Sequence, residues 1–462
     1  MRFVGTDRVL RRGDPMEVES FGYAQELKRS LGFRDLIVYG MLWMIPVSPF
    51  GIYGFVADAS HGMVALAYLL GVLAMSLTAL SYQSMSAVFP LAGSVYTYAQ
   101  RGIGPTVGFM AGWLILLDYI LIPSLLYIGS AAALAPMFPE LPRWIWILLF
   151  TCVGTGINLL GVEFTARASK WLLAFQLVVL TVFCAAGLHA LYGGHVGSGK
   201  LTMNPWYQPA AFSLSSMFSA VSVAAVSFLG FDAISTMSEE VRGGDRRIVG
   251  RATIASLFVV GALFILQTWI AADLGAGRQT GTPETAFYEI AGLAGGHWLF
   301  VLTSITTVLA WGIANSLVST ASIARILFSM ARDRQLPAAL ARVSHVRREP
   351  YVSILLVAVV SICVSLAFMD KLDQITSFVN FGALTGFLVL HVAVINHFVR
   401  RKRSREWGRH LLVPLAGFVA VGAALYAMGR DTWTLGLCWL AAGVAYYSVL
   451  TRVLRRRVQI DV

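Results

Sequence analysis

Two carboxylates stand where carboxylates are expensive. Asp118 lies in "LLDYILIP" (Leu116 to Pro123) and Asp232 in "SFLGFDAISTMSEE" (Ser227 to Glu240), both within long apolar stretches. An ionisable side chain in such a stretch marks a functional site by default. No Lys or Arg sits well inside the same stretches, so the interior is acidic without a built-in counter-charge. That combination suits a solute carrying an ammonium group, which a desolvated carboxylate attracts far more strongly than it would in water. Each acid also has a structural reading. Asp232 follows Gly230 and Phe231, and either caps a new helix by accepting from the amides of Ile234 or Ser235, or contacts a solute, or does both. Asp118 either contacts the solute or bonds to neighbouring helices through Tyr119 and nearby hydroxyls. Phe228, Phe231 and Trp311 either pack or line a cavity, where they supply cation–π contact.

The elements that position these residues follow from composition. Hydrophobic residues make up 57% of the 462-residue chain and charged ones 13%. Apolar stretches of about 20 residues recur, each long enough to cross the hydrocarbon as a helix. Inside a bilayer the backbone must satisfy its own hydrogen bonds, so the expectation is an all-α membrane protein rather than a barrel. Twelve spans are predicted, from 34–58 through 105–135 (span 3), 212–240 (span 6) and 296–328 (span 8) to 432–451. Thirty of the 35 Lys and Arg then fall on the side of the termini and five on the other. That asymmetry places both termini in the cytoplasm and assigns the net charge of +11 to topology and anionic lipid rather than nucleic acid. The N-terminal residues lack the apolar centre of a signal peptide. Cys152, Cys184, Cys363 and Cys438 show no metal spacing and read as small core residues.

Two spans carry breaks. "MIPVSPFGIYG" (Met44 to Gly54) puts Pro46, Pro49, Gly51 and Gly54 at the centre of span 1, and Gly230 interrupts span 6 ahead of Asp232. Interruptions at matching positions in two halves of opposite topology point to a transporter's midplane site. The organisation expected is a cytoplasmic segment at 1–30, a first inverted repeat at 31–199, a second at 200–400, and two extra spans with a basic tail at 401–462. Free carbonyls ending each first half-helix suit an ammonium, and free amides starting each second half suit a carboxylate.

Three motifs carry a family resemblance. "FPLAGSVYTYAQRGIGPTVGFMAGW" (Phe89 to Trp113), "FLGFDAISTMSEE" and "ARILFSMARDRQLP" (Ala324 to Pro337) resemble the amino acid-polyamine-organocation superfamily, over about Leu31 to Arg452. "LLDYILIP" is similar to the third span of the bacterial putrescine importers. The resemblance implies the leucine-transporter fold, with the solute held at the unwound centres of spans 1 and 6. The solute contacts it implies, together with the breaks, are Ile45, Ser48, Gly51, Asp118, Phe228, Gly230, Phe231, Asp232 and Trp311. Ser319 and Thr320 fall where sodium-coupled relatives bind the ion, or else bond back to the preceding turn. The putrescine group carries an aspartate at the position of Gly51, and some proton-coupled members carry a lysine at that of Gln176. The coupling ion, H+ or Na+, stays open, and no cofactor or metal is implied.

The reading is a secondary transporter moving an amino acid or a polyamine such as putrescine by alternating access, in a bacterial inner membrane. The alternative is a transporter-like sensor that binds without net flux. The chain has no HExxH, no phosphate-binding loop and no paired His or Cys ligands, so neither a membrane enzyme nor an ATP-driven pump is indicated. Glu239 and Glu240 are expected to pair with Arg325 or Arg332 at the cytoplasmic end, and His391 to be a packed, hydrogen-bonded histidine rather than a proton relay.

Overall fold

The apolar patterning resolves into helices throughout. The computed structural model describes residues 31–89, 94–160, 162–242, 247–278, 280–332, 335–344 and 349–453. The expected 1–30 segment and the end of the basic tail lie outside the described residues. The helices are α1 (Phe33–Met44), α2 (Pro49–Ala59), α3 (Val64–Ser86), α4 (Ser94–Gly102), α5 (Pro105–Leu134), α6 (Arg143–Leu160), α7 (Val162–Tyr192) and α8 (Leu214–Phe228). They continue with α9 (Ile248–Leu274), α10 (Ala286–Gly295), α11 (His297–Thr307), α12 (Ser316–Arg332), α13 (Tyr351–Ala367), α14 (Leu372–Val394), α15 (Val413–Tyr426) and α16 (Arg430–Ser448). Among the described residues the only β pairing is an isolated bridge between Leu31 and Val241. Ten helical segments are long and apolar enough to cross a membrane, and the bent pair α1–α2 and the shorter α13 complete the expected twelve. The fold is that of the leucine-transporter class, with spans 1 and 6 both interrupted.

The two interruptions differ in kind. α1 and α2 meet at a bend of 61°. Pro46 and Pro49 withhold amide donors there, and Pro49 opens α2 at its first turn, the one helical position that does not need its donor. Ile45 between them has φ 51°, a conformation that a β-branched side chain strongly disfavours. Span 6 is not sharply redirected. α8 ends at Phe228, Gly230 takes φ 101°, and the chain resumes as a 3-10 helix over Asp232–Glu240. Such helices rarely persist beyond about three or four residues, so a nine-residue run marks a segment held by its surroundings. Span 8 carries a third irregularity: a π-helical stretch, Val308–Asn315, joins α11 to α12. Wide turns of this kind are frequent at functional sites.

The bilayer explains a departure in the cysteines. Cys152, Cys363 and Cys438 are exposed, and only Cys184 is partly covered. They are not core residues. Outward positions of a membrane helix face hydrocarbon, so a small apolar group is as stable there as inside. α10, between spans 7 and 8, packs against α2: Phe287 stacks on Phe50 at 4.1 Å, and Phe183 of α7 joins them. Pro283 abuts Gly54 so closely that a Cβ there would lie 2.3 Å from its carbonyl oxygen. On the same side, Arg143 at the start of α6 bonds to Glu284 at 2.9 Å and to Asp370 at 3.4 Å. Burial pushes the Glu284 carboxyl above its ordinary range, while the Arg143 guanidinium pulls it back down. α16 is fastened to α5 by a reciprocal pair of indoles, Trp113 donating to the Trp439 carbonyl at 2.9 Å and Trp439 to that of Trp113 at 2.8 Å.

The span 6 break depends on Gly230. A Cβ there would sit 2.8 Å from the Trp43 Cβ, at a φ that L side chains rarely adopt. Gly230→Ala should therefore lower the thermal unfolding midpoint in detergent, by about 1–3 kcal/mol of stability; an unchanged midpoint would show that the break tolerates a side chain.

Candidate functional site

A helix broken within the hydrocarbon leaves carbonyls without amides. In span 1 side chains supply the missing donors. Asn315, at the end of the π-helical stretch, donates from Nδ2 to the Trp43 carbonyl at 2.7 Å. Gln267 of α9 donates from Nε2 to the Pro46 carbonyl at 2.9 Å and to that of Leu263 at 2.9 Å. Two carbonyls of the first break, expected to await an ammonium, are therefore already engaged, because an unpaired carbonyl in a dry interior costs several kcal/mol. Neither amide was singled out in the sequence. The signal available was rarity: each is the one side-chain amide of its span.

Beside the span 1 break lies a small cavity of about 30 Å³. Span 1 contributes Trp43, Met44, Ile45 and Ser48, span 3 contributes Ile122, Leu125 and Leu126, span 6 contributes Val226 and Leu229, and span 8 contributes Trp311 and Asn315. Its lining is mostly apolar with a few polar groups, the composition of a small-ligand site. Of the expected contacts, Ile45, Ser48 and Trp311 line it. Gly51 stands behind the wall: a Cβ there would lie 2.7 Å from the Trp311 ring, and a Cβ at Gly129 of α5 would lie 2.5 Å from the same ring. The indole is thus clamped between two glycines, and the space a side chain at position 51 would need is filled by Trp311.

The carboxylates gather in a separate cluster. Asp232 Oδ2 accepts from the Tyr119 hydroxyl at 3.1 Å, from Ser94 at 3.4 Å and, at the limit of a hydrogen bond, from Tyr82 at 3.5 Å. These donors come from α5, α4 and α3. The capping reading is corrected in its partners, because no bond runs from the amides of Ile234 or Ser235 to this carboxylate. The Asp232 carboxylate accepts from the hydroxyls of three other helices and from the amides of Gly230 and Asp232 itself. Asp118, one residue before Tyr119, is buried, and its Oδ1 has no hydrogen-bond partner. Gly382 of α14 permits the close approach, since a Cβ there would lie 2.5 Å from the Asp118 amide nitrogen. Among the described residues no Lys or Arg pairs with either acid. Tyr119, which bonds to Asp232, meets the ring of Trp43, a cavity wall, edge to face at 6.4 Å. Phe231 packs on Tyr82 and Phe387 beside the carboxylates, and Phe228 packs on Tyr68 and Phe264. Neither phenylalanine lines the cavity, nor does Gly230.

The remaining candidates are spread out. Ser319 bonds back to the Ser316 carbonyl at 3.2 Å, and Thr320 is buried beside Tyr127. Gln176 is buried with its Oε1 unpartnered. His391 of α14 is buried between Ser81, 2.9 Å from Nδ1, and Thr78, 3.2 Å from Nε2, both on α3. The carbonyl of Glu240 accepts from the Leu31 amide at 3.0 Å, while the side chains of Glu239 and Arg332 lie outside the described residues. Among the described residues no group of His, Cys, Asp and Glu is arranged to hold a metal ion.

Comparison with known proteins agrees with this architecture. Residues 35–452 match the family model described as amino acid permease. The chain is 30% identical over 444 residues to the low-affinity putrescine importer PlaP of Escherichia coli (strain K12), covering 94% of this chain and 96% of the relative. It is 26% identical to the methylthioribose transporter of Bacillus subtilis (strain 168), covering 96% and 98%. The crystal structure of a manganese transporter mutant from Eremococcus coleocola superposes with a TM-score of 0.53 at 13% identity, over 94% of this chain and 98% of that one. At that identity the likeness concerns the fold alone.

The Trp311 clamp generates a prediction. Gly51→Ala overpacks the ring and should cost about 1–3 kcal/mol of stability in thermal unfolding. Trp311→Phe added to it should recover part of that loss, with a coupling of about 0.5–3 kcal/mol in the double-mutant cycle. Strictly additive effects would mean that ring and glycine do not compete for one space.

Proposed function

The chain belongs to the amino acid permease family, and from that premise we propose that it carries a small amine-bearing solute, an amino acid or a polyamine, through the cavity at the broken first span. It is a secondary transporter embedded in the membrane. Its relatives are importers and permeases, which disfavours the sensor alternative. The observation that carries the reading is the cavity itself: it opens at the 61° break of span 1, where Ile45 and Ser48 meet Trp311 of the π-helical stretch in span 8. The basic loops argue for both termini in the cytoplasm and, with bacterial relatives, for a bacterial cytoplasmic membrane. Spans 1–5 and 6–10 are read as the two inverted repeats, with the irregular centres of spans 1 and 6 between them.

The coupling ion in this reading is the proton. Asp232 is surrounded by hydroxyls and Asp118 has a free oxygen, so both can take up a proton without a basic partner having to move. Trp43 and Tyr119 connect the cavity to the carboxylates, so occupancy of one can bias the other through their ring contact.

The test is uptake into proteoliposomes of labelled L-leucine, putrescine and methylthioribose under imposed proton or sodium gradients. Accumulation of leucine or putrescine driven by a proton gradient is expected, and selective uptake of methylthioribose would overturn the amine reading. Asp232→Asn should reduce proton-driven accumulation by roughly tenfold or more, the size of one lost charge-assisted bond. Exchange of internal for external solute should survive, as it needs no net proton movement. Sodium-driven accumulation that is indifferent to Asp232→Asn would remove the proton from the mechanism.

A further inference from the structure

Asn315 has two ends, and only one of them is used. Its Nδ2 donates to the Trp43 carbonyl at 2.7 Å. A carbonyl oxygen cannot donate, so this bond fixes which end of the amide is which. Oδ1 is then left as the other end, and it is buried with no partner in the protein. Asn315 is 4% exposed and lines the cavity between spans 1, 3, 6 and 8. A buried acceptor without a donor is costly unless something else completes it. The wall leaves it unmet: Met44, Ile45, Ile122, Leu125 and Leu126 offer no side-chain donor, and the donors that line the same space, the Ser48 hydroxyl and the indole N–H groups of Trp43 and Trp311, are not bonded to it, both indoles being themselves without a partner.

We propose that Asn315 Oδ1 is the acceptor that reads a single ammonium of the solute, and that the cavity therefore takes solutes with one ammonium on an apolar body in preference to diamines. The proposal rests on the amine-transport reading above and sharpens its substrate class. Recognition is by a neutral amide because both carboxylates lie outside the cavity wall, with Asp232 behind Trp43 and Tyr119. A second ammonium at the far end of a diamine would meet a wall with no carboxylate, aliphatic side chains together with Trp43, Trp311 and Ser48, and lose its hydration without a counter-charge. An apolar side chain at that end gains from the same surface. The bond to Trp43 also makes Asn315 a positioning residue. It ties the π-helical stretch of span 8 to the last turn of α1, so the acceptor is held against the part of span 1 that bends.

The experiment uses the purified full-length protein in detergent and reads apparent affinity from thermal stabilisation during ligand titration. The probes are L-leucine, its deaminated analogue 4-methylpentanoate, 3-methylbutylamine and putrescine. In the wild type, leucine and 3-methylbutylamine should bind roughly tenfold or more tightly than 4-methylpentanoate and than putrescine, as expected for one hydrogen bond to a charged donor. In Asn315→Ala the preference of leucine over 4-methylpentanoate should collapse to within about threefold. A purely structural role would weaken all probes in parallel and leave that ratio unchanged, which would overturn the assignment. Putrescine binding more tightly than leucine in the wild type would overturn it without any variant, as would equal binding of leucine and its deaminated analogue. Should Asn315→Ala fail to fold, Asn315→Asp keeps an acceptor at the same place and should retain the preference for amines. If none of the four probes stabilises the wild type, the amine reading itself fails and this assignment falls with it; binding of leucine without discrimination sinks the assignment alone.

Discussion

The protein depends on one constraint: no backbone carbonyl can be left unpaired in the hydrocarbon. A helix that breaks there must be completed from outside itself. In span 1 the completion comes from two side-chain amides, Asn315 on the Trp43 carbonyl and Gln267 on that of Pro46. These bonds allow the chain to turn by 61° without exposing polar backbone to lipid. They also bring the middles of spans 7 and 8 against the break, and the cavity lies beside it. Span 6 meets the same constraint differently. It changes helix type at Gly230 and continues as a 3-10 run, keeping most of its direction.

Much of this was legible in the residues. Pro46, Pro49 and Gly51 announce the first break because proline removes donors in a place that has no water to replace them. Gly230 announces the second, and the distribution of Lys and Arg announces an even number of spans. What was not legible is how side chains are shared between distant helices. The hydroxyls that surround Asp232 come from α3, α4 and α5, none of them near it in sequence, so a cap within its own helix seemed as natural. Phe228 and Phe231 look like cavity walls from their place beside the break, yet the twist of span 6 turns them onto Tyr68, Phe264, Tyr82 and Phe387. The π-helical stretch that places Trp311 and Asn315 on the cavity has no proline or glycine pattern to betray it. Gly312 alone does not distinguish it from an ordinary turn.

The glycines next to Trp311 show how shape and chemistry are exchanged at one position. With Gly51 on one side and Gly129 on the other, the largest side chain available fits between spans 1 and 3. An acid at position 51 would have to displace it. The wall is therefore aromatic at this position, and the two carboxylates lie in the cluster around Tyr119.

The charged contact at the start of α6 has a mechanical meaning. One guanidinium, that of Arg143, holds two acids from different connections, Glu284 ahead of α10 and Asp370 between α13 and α14. α10 is the piece that lies across Phe50 and Gly54 of span 1. Lifting it strips Glu284 of its counter-ion, while Asp370 remains to steady the arginine. The cover is thus a hasp with a spare ring, released in steps, and its grip should loosen as dissolved electrolyte screens the more exposed ring first.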